Sequence, residues 1–455
     1  MSSAPPYDHI VLISVDTLRS DCLSANPFPL WPGKYPDLSW PGAPALDELA
    51  ALGAYFPNTV AAAPYTSASH ASILTGRWPT HHGVYEFFRQ GLRAQTVFSR
   101  AKRAGYSTTL KVDFPVILGG ALGFDKDVDH YLIEEDDAAL QLITAERRTL
   151  SCVHFGGVHI PYGFHNLRFG GEDYRETVLA LEKELPLEDE LPVDRLTETF
   201  RDTEDADLLV RYKRIVSHLY RHREYTRLFG MYLDGVTRFS RCRLGPFLER
   251  LFAALDGRRW LLVLFGDHGE EYDDGSYGHF NTLAEGVLRI PVVVAGTDVP
   301  SCVRPTRVRG IDVGATVLEA MGDSDYARRR VDGDSLFGAV RGEPADGEAV
   351  AYSQAYIPET QAHVAFQQSL LKGGHNDGSL PHFLFQEAVY RKDWKFTRRN
   401  FEYGPQGSFG PIRPTVTPTR RLERIRGSLV EACTDPAAEA ELEGLLDAYN
   451  RDRRV

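Results

Sequence analysis

Short apolar runs that stop on acidic or histidine residues constrain the fold of this chain most strongly. DHIVLISVD ends at Asp16, TLSCVHFGGVH leads to His159, and RRWLLVLFGDHGEE reaches Asp267 and His268. Such runs are typical of buried parallel strands whose carboxyl ends carry functional residues. Segments with apolar residues at helical spacing, PALDELAALGAYF and GIDVGATVLEAMG, alternate with them. The alternation predicts an α/β fold with a mostly parallel sheet covered by helices on both faces.

The polar residues at these strand ends are expected to meet, because ligands bind beyond the carboxyl ends of parallel strands. Asp267 and His268 together offer a hard oxygen and a nitrogen, a pair that can hold a divalent cation. Asp16 taken alone is ambiguous, since Asp is also a common helix cap. His154 is expected to be a core residue within its strand, and Glu270 to lie in a solvated loop.

Two stretches differ from this alternating pattern. Residues 165–225 are highly charged and helix-forming, which predicts a solvated helical insertion, with a lid over the substrate as the alternative. From residue 346 onward the pattern changes to short strands and a final helix, DPAAEAELEGLLDAYNRD. We therefore expect a catalytic domain at 1–345 and a small α+β subdomain at 346–455.

The composition limits the partners of the chain. Of its 455 residues, 51 are Lys or Arg and 63 are Asp or Glu, which gives a formal net charge of −12. A broad basic face for nucleic acid is not expected, because repulsion from phosphate would oppose binding. The sequence has no run of about 18 apolar residues that would predict a membrane span, and no signal-peptide pattern. Five scattered cysteines fit reduced thiols, so a cytoplasmic protein is expected.

The segment PYTSASHASILTGRWPTHHGV brings together Thr66, Ser67, Ser69 and His70 within a few residues. A hydroxyl in front of a helix is usually a cap. Its alternative role is that of a nucleophile, which needs a base or a metal ion to remove the proton. A helix N-terminus behind it would favour the anionic group under attack. On the residues alone, both roles stay open for Thr66.

Taken together, these segments resemble the sulfatase family of the alkaline phosphatase superfamily. IVLISVDTLRSD is similar to the first strand of the family and its metal-binding acid, and SHASILTGRWPTHHGV to its nucleophile helix. VHIPY resembles its H-x-P-Y segment, and GDHGEE and GHFNTLAEGVLRIPVVVAG resemble the closing part of its catalytic domain. The resemblance covers most of the chain outside 165–225. It implies an alkaline-phosphatase-like sandwich with a small C-terminal subdomain.

The resemblance also implies roles for single residues. The metal ligands would be Asp16, Thr66, Asp267 and His268. Thr66 would in addition be the covalent nucleophile. Residues that bind the substrate anion or assist catalysis would be His159, His279, Lys111 and His70. One divalent ion is expected; a histidine ligand favours Mn²⁺ or Zn²⁺, with Mg²⁺ and Ca²⁺ as alternatives.

Departures from the family pattern bear on the reaction. Sulfatases carry a Cys or Ser at the nucleophile position, which is oxidised to formylglycine, whereas Thr66 is similar to the residue in the family's phosphodiesterases and phosphotransferases. Thr17 stands where many sulfatases have a second acid. Gly156 and Gly157 stand where two-metal relatives have an Asp, so one ion is expected instead of two.

The function that these expectations favour is hydrolysis of a small anionic phosphate ester, above all a diester, through a phospho-threonine on Thr66. Three alternatives stay open. They are a sulfate-ester hydrolase that works without formylglycine, a phosphotransferase with a soluble acceptor, and a binding protein without catalysis.

Overall fold

A computed structural model of the chain describes residues 6–85, 91–163, 174–187, 204–273, 276–279, 282–343, 349–356, 384–403 and 412–452. In chain order its strands are β1 (His9–Val15), β2 (Ala54–Val60), β3 (Ser107–Val112), β4 (His130–Ile133), β5 (Thr149–Phe155), β6 (Trp260–Gly266), β7 (Tyr272–Asp273), β8 (Ser276–Tyr277), β9 (Arg289–Gly296), β10 (Cys302–Val303), β11 (Val308–Arg309), β12 (Ala351–Tyr356), β13 (Leu384–Arg391), β14 (Trp394–Tyr403), β15 (Ile412–Arg426) and β16 (Leu429–Cys433).

The α-helices are α1 (Trp31–Lys34), α2 (Pro44–Leu52), α3 (Thr66–Thr75), α4 (Pro79–His82), α5 (Val97–Arg103), α6 (Asp136–Ile143), α7 (Tyr174–Glu184), α8 (Glu204–Arg221), α9 (Tyr225–Phe239), α10 (Gly245–Leu255), α11 (Glu285–Leu288), α12 (Ile311–Ala320), α13 (Ser324–Arg330), α14 (Phe337–Val340) and α15 (Pro436–Arg451). Short 3₁₀ turns lie at Ser20–Cys22 and Gly120–Leu122, and a π-helical turn at Ser240–Leu244 joins α9 to α10. Within the described residues, no helix is long and apolar enough to span a membrane.

The main sheet has nine strands in the order β10-β2-β9-β6-β1-β5-β3-β4, with β11 also paired to β2. Strand β9 runs antiparallel to its neighbours β2 and β6, and the other pairings are parallel. Val15 at the end of β1 is level with Phe155 of β5 and Gly266 of β6. The residues that follow these three strands therefore emerge at one edge of the sheet.

Helices cover both faces of this sheet, as the alternating pattern predicts. Val11 and Ile13 of β1 pack into one apolar layer with α2, α6, α9 and α10, while Ile10 and Leu12 pack into the opposite layer with α3, α5 and α12. Side chains on a strand alternate between faces, so one buried run serves both layers. The prediction of an α/β fold with a mostly parallel sheet is confirmed.

The segment PALDELAALGAYF is only partly helical. Helix α2 ends at Leu52, and β2 begins at Ala54. Gly53 lies between them, and a Cβ added there would stand 2.3 Å from the carbonyl oxygen of Val294 in β9. The close backbone approach that only glycine permits ends the helix and brings the chain into the sheet.

The described part of 165–225 contains the expected helices, α7 and α8, whereas 165–173 and 188–203 lie outside the described residues. Val178 of α7 and Tyr212 and Ile215 of α8 are buried in the same apolar layer as α9. Each helix therefore has one side in the core, which a purely solvated insertion would not have.

The C-terminal region forms a separate antiparallel sheet in the order β12-β13-β14-β15-β16, with α15 packed against β13 and β14. Apolar residues of both sheets share one cluster, which includes Ile290 of β9, Ala351 of β12 and Tyr390 of β13. The strands and final helix expected after residue 346 are present, and the predicted small α+β region is packed directly on the main sheet.

Candidate active site

Three buried side chains meet at the edge where β1 and β6 end. Asp16 follows β1, and Asp267 and His268 follow β6. All three are fully buried, and one ligand atom from each lies within 4.8 Å of the others. The level ends of β1 and β6 bring these residues together across about 250 positions of sequence.

The Thr66 hydroxyl completes this cluster. Tyr65 is extended, and Thr66 is the first residue of α3. Its Oγ1 donates to Asp16 Oδ2 at 3.2 Å and lies 3.4 Å from His268 Nε2. The cap position belongs to Tyr65, and no side chain caps the helix there. Thr66 therefore points its oxygen at the acidic cluster instead of acting as the cap.

Backbone N–H groups around Asp267 donate hydrogen bonds to one of its two carboxylate oxygens. The N–H groups of Thr17 and His268 donate to Oδ1 at 3.1 and 2.9 Å. Thr17 has a φ of 59°, a left-handed conformation that is unusual for a β-branched residue. The strained turn after Asp16 thus serves to aim an N–H at Asp267.

The remaining carboxylate oxygen of each acid is available to bind a cation. Among the described residues, Asp16 Oδ1 and Asp267 Oδ2 are buried and have no hydrogen-bond partner. A buried carboxylate oxygen without a partner is costly, because it has lost its water without compensation. Two such oxygens beside the His268 nitrogen and the Thr66 hydroxyl form a donor set suited to one divalent ion.

The electrostatics point the same way. Burial alone would raise the pKa of Asp16, but His159, His154 and His268 outweigh it and hold the pKa well below its ordinary range. Burial and the charge of Asp16 raise the pKa of Asp267 well above its ordinary value. Ionisation of Asp16 therefore disfavours ionisation of Asp267, and a bound cation would favour the charged form of both acids.

His70 lies one turn further along α3 and contacts residues of β1, α3 and the turn after β6. One ring nitrogen, Nε2, is 2.7 Å from Ser14 Oγ, and the other, Nδ1, is 2.9 Å from the Thr66 carbonyl oxygen and 3.4 Å from Asp267 Oδ2. Burial, then the neighbouring His154, lowers the pKa of His70 to about 3. Its contacts are with the Thr66 backbone and not with the Thr66 hydroxyl.

Two further histidines border the site. The ring of His279 lies 4.3 Å from that of His268 and 5.2 Å from that of His159. His159 is half-buried and packs on Phe114. The structure therefore brings both predicted substrate-side histidines next to the cluster of candidate metal ligands.

Lys111 is not brought to the cluster. Its ammonium contacts Asp113 and Asp136 and donates to the carbonyl oxygen of His154 at 3.1 Å. Arg243 binds the same two carboxylates. The expectation that Lys111 holds a substrate anion does not match this placement, because its charge is already compensated by two buried acids.

Sequence reasoning missed two residues of the site. His154 Nε2 lies 3.2 Å from Asp16 Oδ2, so this strand histidine contacts a metal-ligand candidate. Glu270 is fully buried beside His279 and does not lie in a solvated loop. The doubled acid in GDHGEE was the available signal for Glu270. His154 had none, because its role depends on which strand lies beside β1.

Solved structures with the same fold include functionally different proteins. A protein in complex with its substrate D-glucosamine-2-N,6-O-disulfate aligns at a TM-score of 0.61, with 14% identity and 99% of each chain covered. The phosphonate monoester hydrolase of Silicibacter pomeroyi aligns at 0.60, with 16% identity, 98% of this chain and 95% of the other covered. The Agrobacterium radiobacter phosphonate monoester hydrolase aligns at 0.56, with 16% identity, 98% and 94% covered. At such identities these likenesses show the fold alone.

Two curated relatives share sequence with parts of the chain. An arylsulfatase of Clostridium perfringens is 37% identical over 102 residues, which are 22% of this chain and 19% of the relative. The low-salt glycan biosynthesis sulfotransferase Agl7 of Haloferax volcanii is 24% identical over 283 residues, 58% of this chain and 54% of the relative. The chain thus matches about a fifth and about half of the length of these relatives. The sulfatase family model matches residues 8–323, which include every residue of the site described above. The chain therefore belongs to the sulfatase family.

Proposed function

We propose that this protein hydrolyses small phosphate esters, phosphodiesters above all, with Thr66 as the nucleophile. The observation that carries the proposal is the position of Thr66 Oγ1, 3.2 Å from Asp16 Oδ2 and 3.4 Å from His268 Nε2. It lies at the start of a ten-residue helix, where backbone N–H groups favour a bound anion.

The residues that would hold a divalent ion are Asp16, Thr66, Asp267 and His268. Such an ion supplies positive charge that acidifies the hydroxyl and neutralises an oxygen of the substrate. The histidine ligand favours Mn²⁺ or Zn²⁺ over the harder Mg²⁺ and Ca²⁺.

The reaction proceeds in two displacements. Thr66 first loses its hydroxyl proton to solvent, and its Oγ1 then forms a bond to phosphorus as the bond from phosphorus to the leaving oxygen breaks. His159 or His279 gives a proton to that oxygen, since imidazole is a common general acid in such reactions. Water then attacks phosphorus, the bond to Thr66 Oγ1 breaks, and the histidine regains its proton. Positioning and charge stabilisation supply most of the rate in phosphoryl transfer.

Two points support a phosphate ester over a sulfate ester. Threonine has a methyl group on the carbon that would have to become the aldehyde, so formylglycine does not form at position 66 in the usual way. A plain alkoxide that accepted a sulfuryl group would leave a sulfate ester that water cleaves slowly. The fold neighbours include phosphonate monoester hydrolases and a protein with a sulfated glucosamine as substrate, so the fold by itself does not separate the two ester classes. We expect a small anionic ester in the cytoplasm as the substrate.

The test is Thr66→Ala, assayed with bis(4-nitrophenyl) phosphate and added Mn²⁺. We expect kcat to fall by at least about a thousandfold, because the covalent route is lost. Thr66→Ser is the matched control and should keep a measurable part of the activity, since it retains the hydroxyl. Turnover of Thr66→Ala equal to that of the unmodified protein would refute the proposal.

Sulfate-ester hydrolysis is the second candidate, and the arylsulfatase likeness over 102 residues favours it. A third, transfer to an alcohol, is favoured by the relative named as a sulfotransferase. Aryl sulfate, aryl phosphate and aryl phosphodiester assayed in parallel separate the first two candidates. Adding glycerol as an acceptor and looking for its ester separates transfer from hydrolysis.

A further inference from the structure

The C-terminal sheet contacts the chain that leads into the nucleophile helix. Residues 61–65 connect the end of β2 to the start of α3, and strand β12 lies beside this connection. The Ser353 hydroxyl donates to the carbonyl oxygen of Ala61. The backbone N–H of Gln354, the next residue, donates to the carbonyl oxygen of Ala62 at 3.0 Å. Successive residues of β12 therefore support successive residues of the connection.

Tyr65 makes a third contact of this kind, directly before the nucleophile. Its hydroxyl donates to the carbonyl oxygen of Tyr85 and accepts the backbone N–H of Tyr356 at 3.3 Å. Tyr356 is the last residue of β12, and its ring lies 4.8 Å from the ring of Tyr85. Because the Tyr65 side chain is buried and its hydroxyl both donates and accepts, the phenol is held in one orientation.

The backbone of Tyr65 also sets where α3 begins. Tyr65 is the cap residue of this helix, and its side chain forms no capping hydrogen bond. Its carbonyl oxygen accepts the N–H of Ser69 at 3.2 Å, the first backbone hydrogen bond of the helix. The hydroxyl contacts of Tyr65 thus hold a residue that is bonded to α3 and adjacent to Thr66.

The position of Thr66 has to be accurate, because its hydroxyl is the proposed attacking group. Its Oγ1 lies 3.2 Å from Asp16 Oδ2 and 3.4 Å from His268 Nε2. A misplacement of about 1 Å in a reacting group can cost about a hundredfold in rate. Since Tyr65 and Thr66 share a peptide bond, a shift in the backbone of Tyr65 moves the Thr66 hydroxyl.

We propose that Tyr65 is the positioning residue of the nucleophile and that it connects Thr66 to the C-terminal sheet. The Tyr65 hydroxyl holds the backbone before Thr66 between Tyr356 on one side and Tyr85 on the other. The C-terminal sheet thereby helps to set the distance between the Thr66 hydroxyl and the phosphorus under attack. This inference rests on the proposed function, which makes Thr66 the nucleophile.

Tyr65→Phe removes the hydroxyl and keeps the ring. With bis(4-nitrophenyl) phosphate and Mn²⁺ we expect kcat to fall about ten- to a hundredfold and KM to change less than about twofold, because the nucleophile is misplaced while the substrate still binds. Ser353→Ala removes a more distant contact of the same support and should lower kcat less, again without a change in KM. Unchanged kcat in Tyr65→Phe would overturn the proposal.

Tyr106→Phe is the matched control. Tyr106 is also buried, and its hydroxyl donates to the carbonyl oxygen of Tyr7 at 2.6 Å. It comes just before β3, at the amino ends of the parallel strands and so at the edge of the sheet opposite the site. We expect a similar fall in melting temperature and an unchanged kcat. Equal losses of kcat in the two variants would overturn the proposal, because lost stability would then explain both.

A double-mutant cycle tests whether Tyr65 acts through Thr66. Calorimetric titration with Mn²⁺ compares Tyr65→Phe, Thr66→Ala and the double variant. We expect Tyr65→Phe to weaken Mn²⁺ binding about tenfold, and to weaken it no further once the Thr66 hydroxyl is gone. Losses that add in the double variant, or an unchanged affinity in Tyr65→Phe, would overturn the proposal.

Hydrogen exchange gives a readout that needs neither activity nor a metal ion. The Ser69 amide reports on the start of α3, because it donates to the Tyr65 carbonyl oxygen. By mass spectrometry we expect peptides that cover 61–70 to exchange at least about tenfold faster in Tyr65→Phe and at the unmodified rate in Tyr106→Phe. Unchanged exchange in Tyr65→Phe would overturn the proposal. Absence of diester turnover in the unmodified protein would instead count against the proposed function.

Discussion

The imidazole of His154 connects Asp16 to the neighbouring strand. Its Nδ1 accepts the backbone N–H of Asp113 at 3.3 Å, so the ring proton must lie on Nε2, which faces Asp16 Oδ2 at 3.2 Å. The tautomer therefore follows from the contact with the backbone. Histidine in this position orients the carboxylate that we assign to the metal, without binding the metal itself.

Replacement of His154 by Leu should weaken metal binding. The Asp16 carboxylate then loses a buried hydrogen bond and is free to turn, which typically costs ten- to a hundredfold in affinity for the ion. Calorimetric titration with Mn²⁺ measures this. His130→Leu, a change of the same kind at an exposed position on β4, should leave the affinity unchanged. An unaltered affinity in a folded His154→Leu protein would contradict the assignment.

At the scale of single elements, local pattern was enough for most of the strands and helices around the site. Runs such as HIVLISV, WLLVLFG and RIPVVVAG form β1, β6 and β9. A continuous apolar run of seven or eight residues that is followed by a turn is typical of a buried strand. The boundary of α2 could not be predicted, since the helical spacing continues past Gly53. Only the approach of β9 shows why the helix stops there.

The site was predictable where its residues adjoin in sequence and not where they meet through packing. Asp267 and His268 stand side by side, and Thr66 begins a recognisable helix motif. Lys111 pairs with Asp113 and Asp136, and Arg243 of the π-helical turn binds the same two acids. The packing of α6 against β3 brings Asp136 to Lys111, and a sequence pattern carries no information about that contact.

The close packing of α3 against α12 predicts that a larger residue at their contact will destabilise the protein. A Cβ at Gly314 of α12 would stand 2.5 Å from the Ile73 carbonyl oxygen and 2.7 Å from the Gly76 amide nitrogen. Gly314→Ala should therefore lower the free energy of unfolding by about 1–3 kcal/mol, because the two helices must move apart. Urea denaturation followed by circular dichroism measures it.

Gly444 of α15 is the matched control for this change. It is also inside a helix, and a Cβ there meets nothing within 4 Å. Gly444→Ala should raise the free energy of unfolding by about 0.5–1 kcal/mol through helix propensity. Equal effects of the two substitutions would show that α3 and α12 are not tightly packed.

At the scale of the whole molecule, a buried ionic contact fastens the C-terminal sheet to the segment that follows His279. Lys395 of β14 donates to the Leu283 carbonyl oxygen at 2.6 Å and to Glu285 at 2.9 Å. Glu285 also accepts from Tyr390 and Arg289, each at 2.7 Å. The C-terminal sheet therefore helps to hold the start of α11, and none of the metal-ligand candidates found among the described residues belongs to that sheet.

This contact makes the stability of the whole protein depend on pH. Burial would raise the pKa of Glu285, but Lys395 and Arg289 outweigh it and hold the pKa well below its ordinary value. A carboxyl group with a depressed pKa in the folded state adds stability above its unfolded pKa of about 4.3 and loses it as the pH falls further. Lys395→Met leaves Glu285 buried with fewer partners and should cost about 3–5 kcal/mol at pH 7.

The difference between Lys395→Met and the unmodified protein should then shrink as the pH falls below about 4.3, because protonated Glu285 no longer needs the cation. Urea unfolding at pH 7, 5, 4 and 3 tests this, and Lys102→Met is the control, since Lys102 forms a half-exposed pair with Asp129. That control should leave the free energy of unfolding nearly unchanged at neutral pH, because water screens an exposed ion pair. A difference for Lys395→Met that stayed constant from pH 7 to pH 3 would mean that Glu285 is not the group through which Lys395 stabilises the fold.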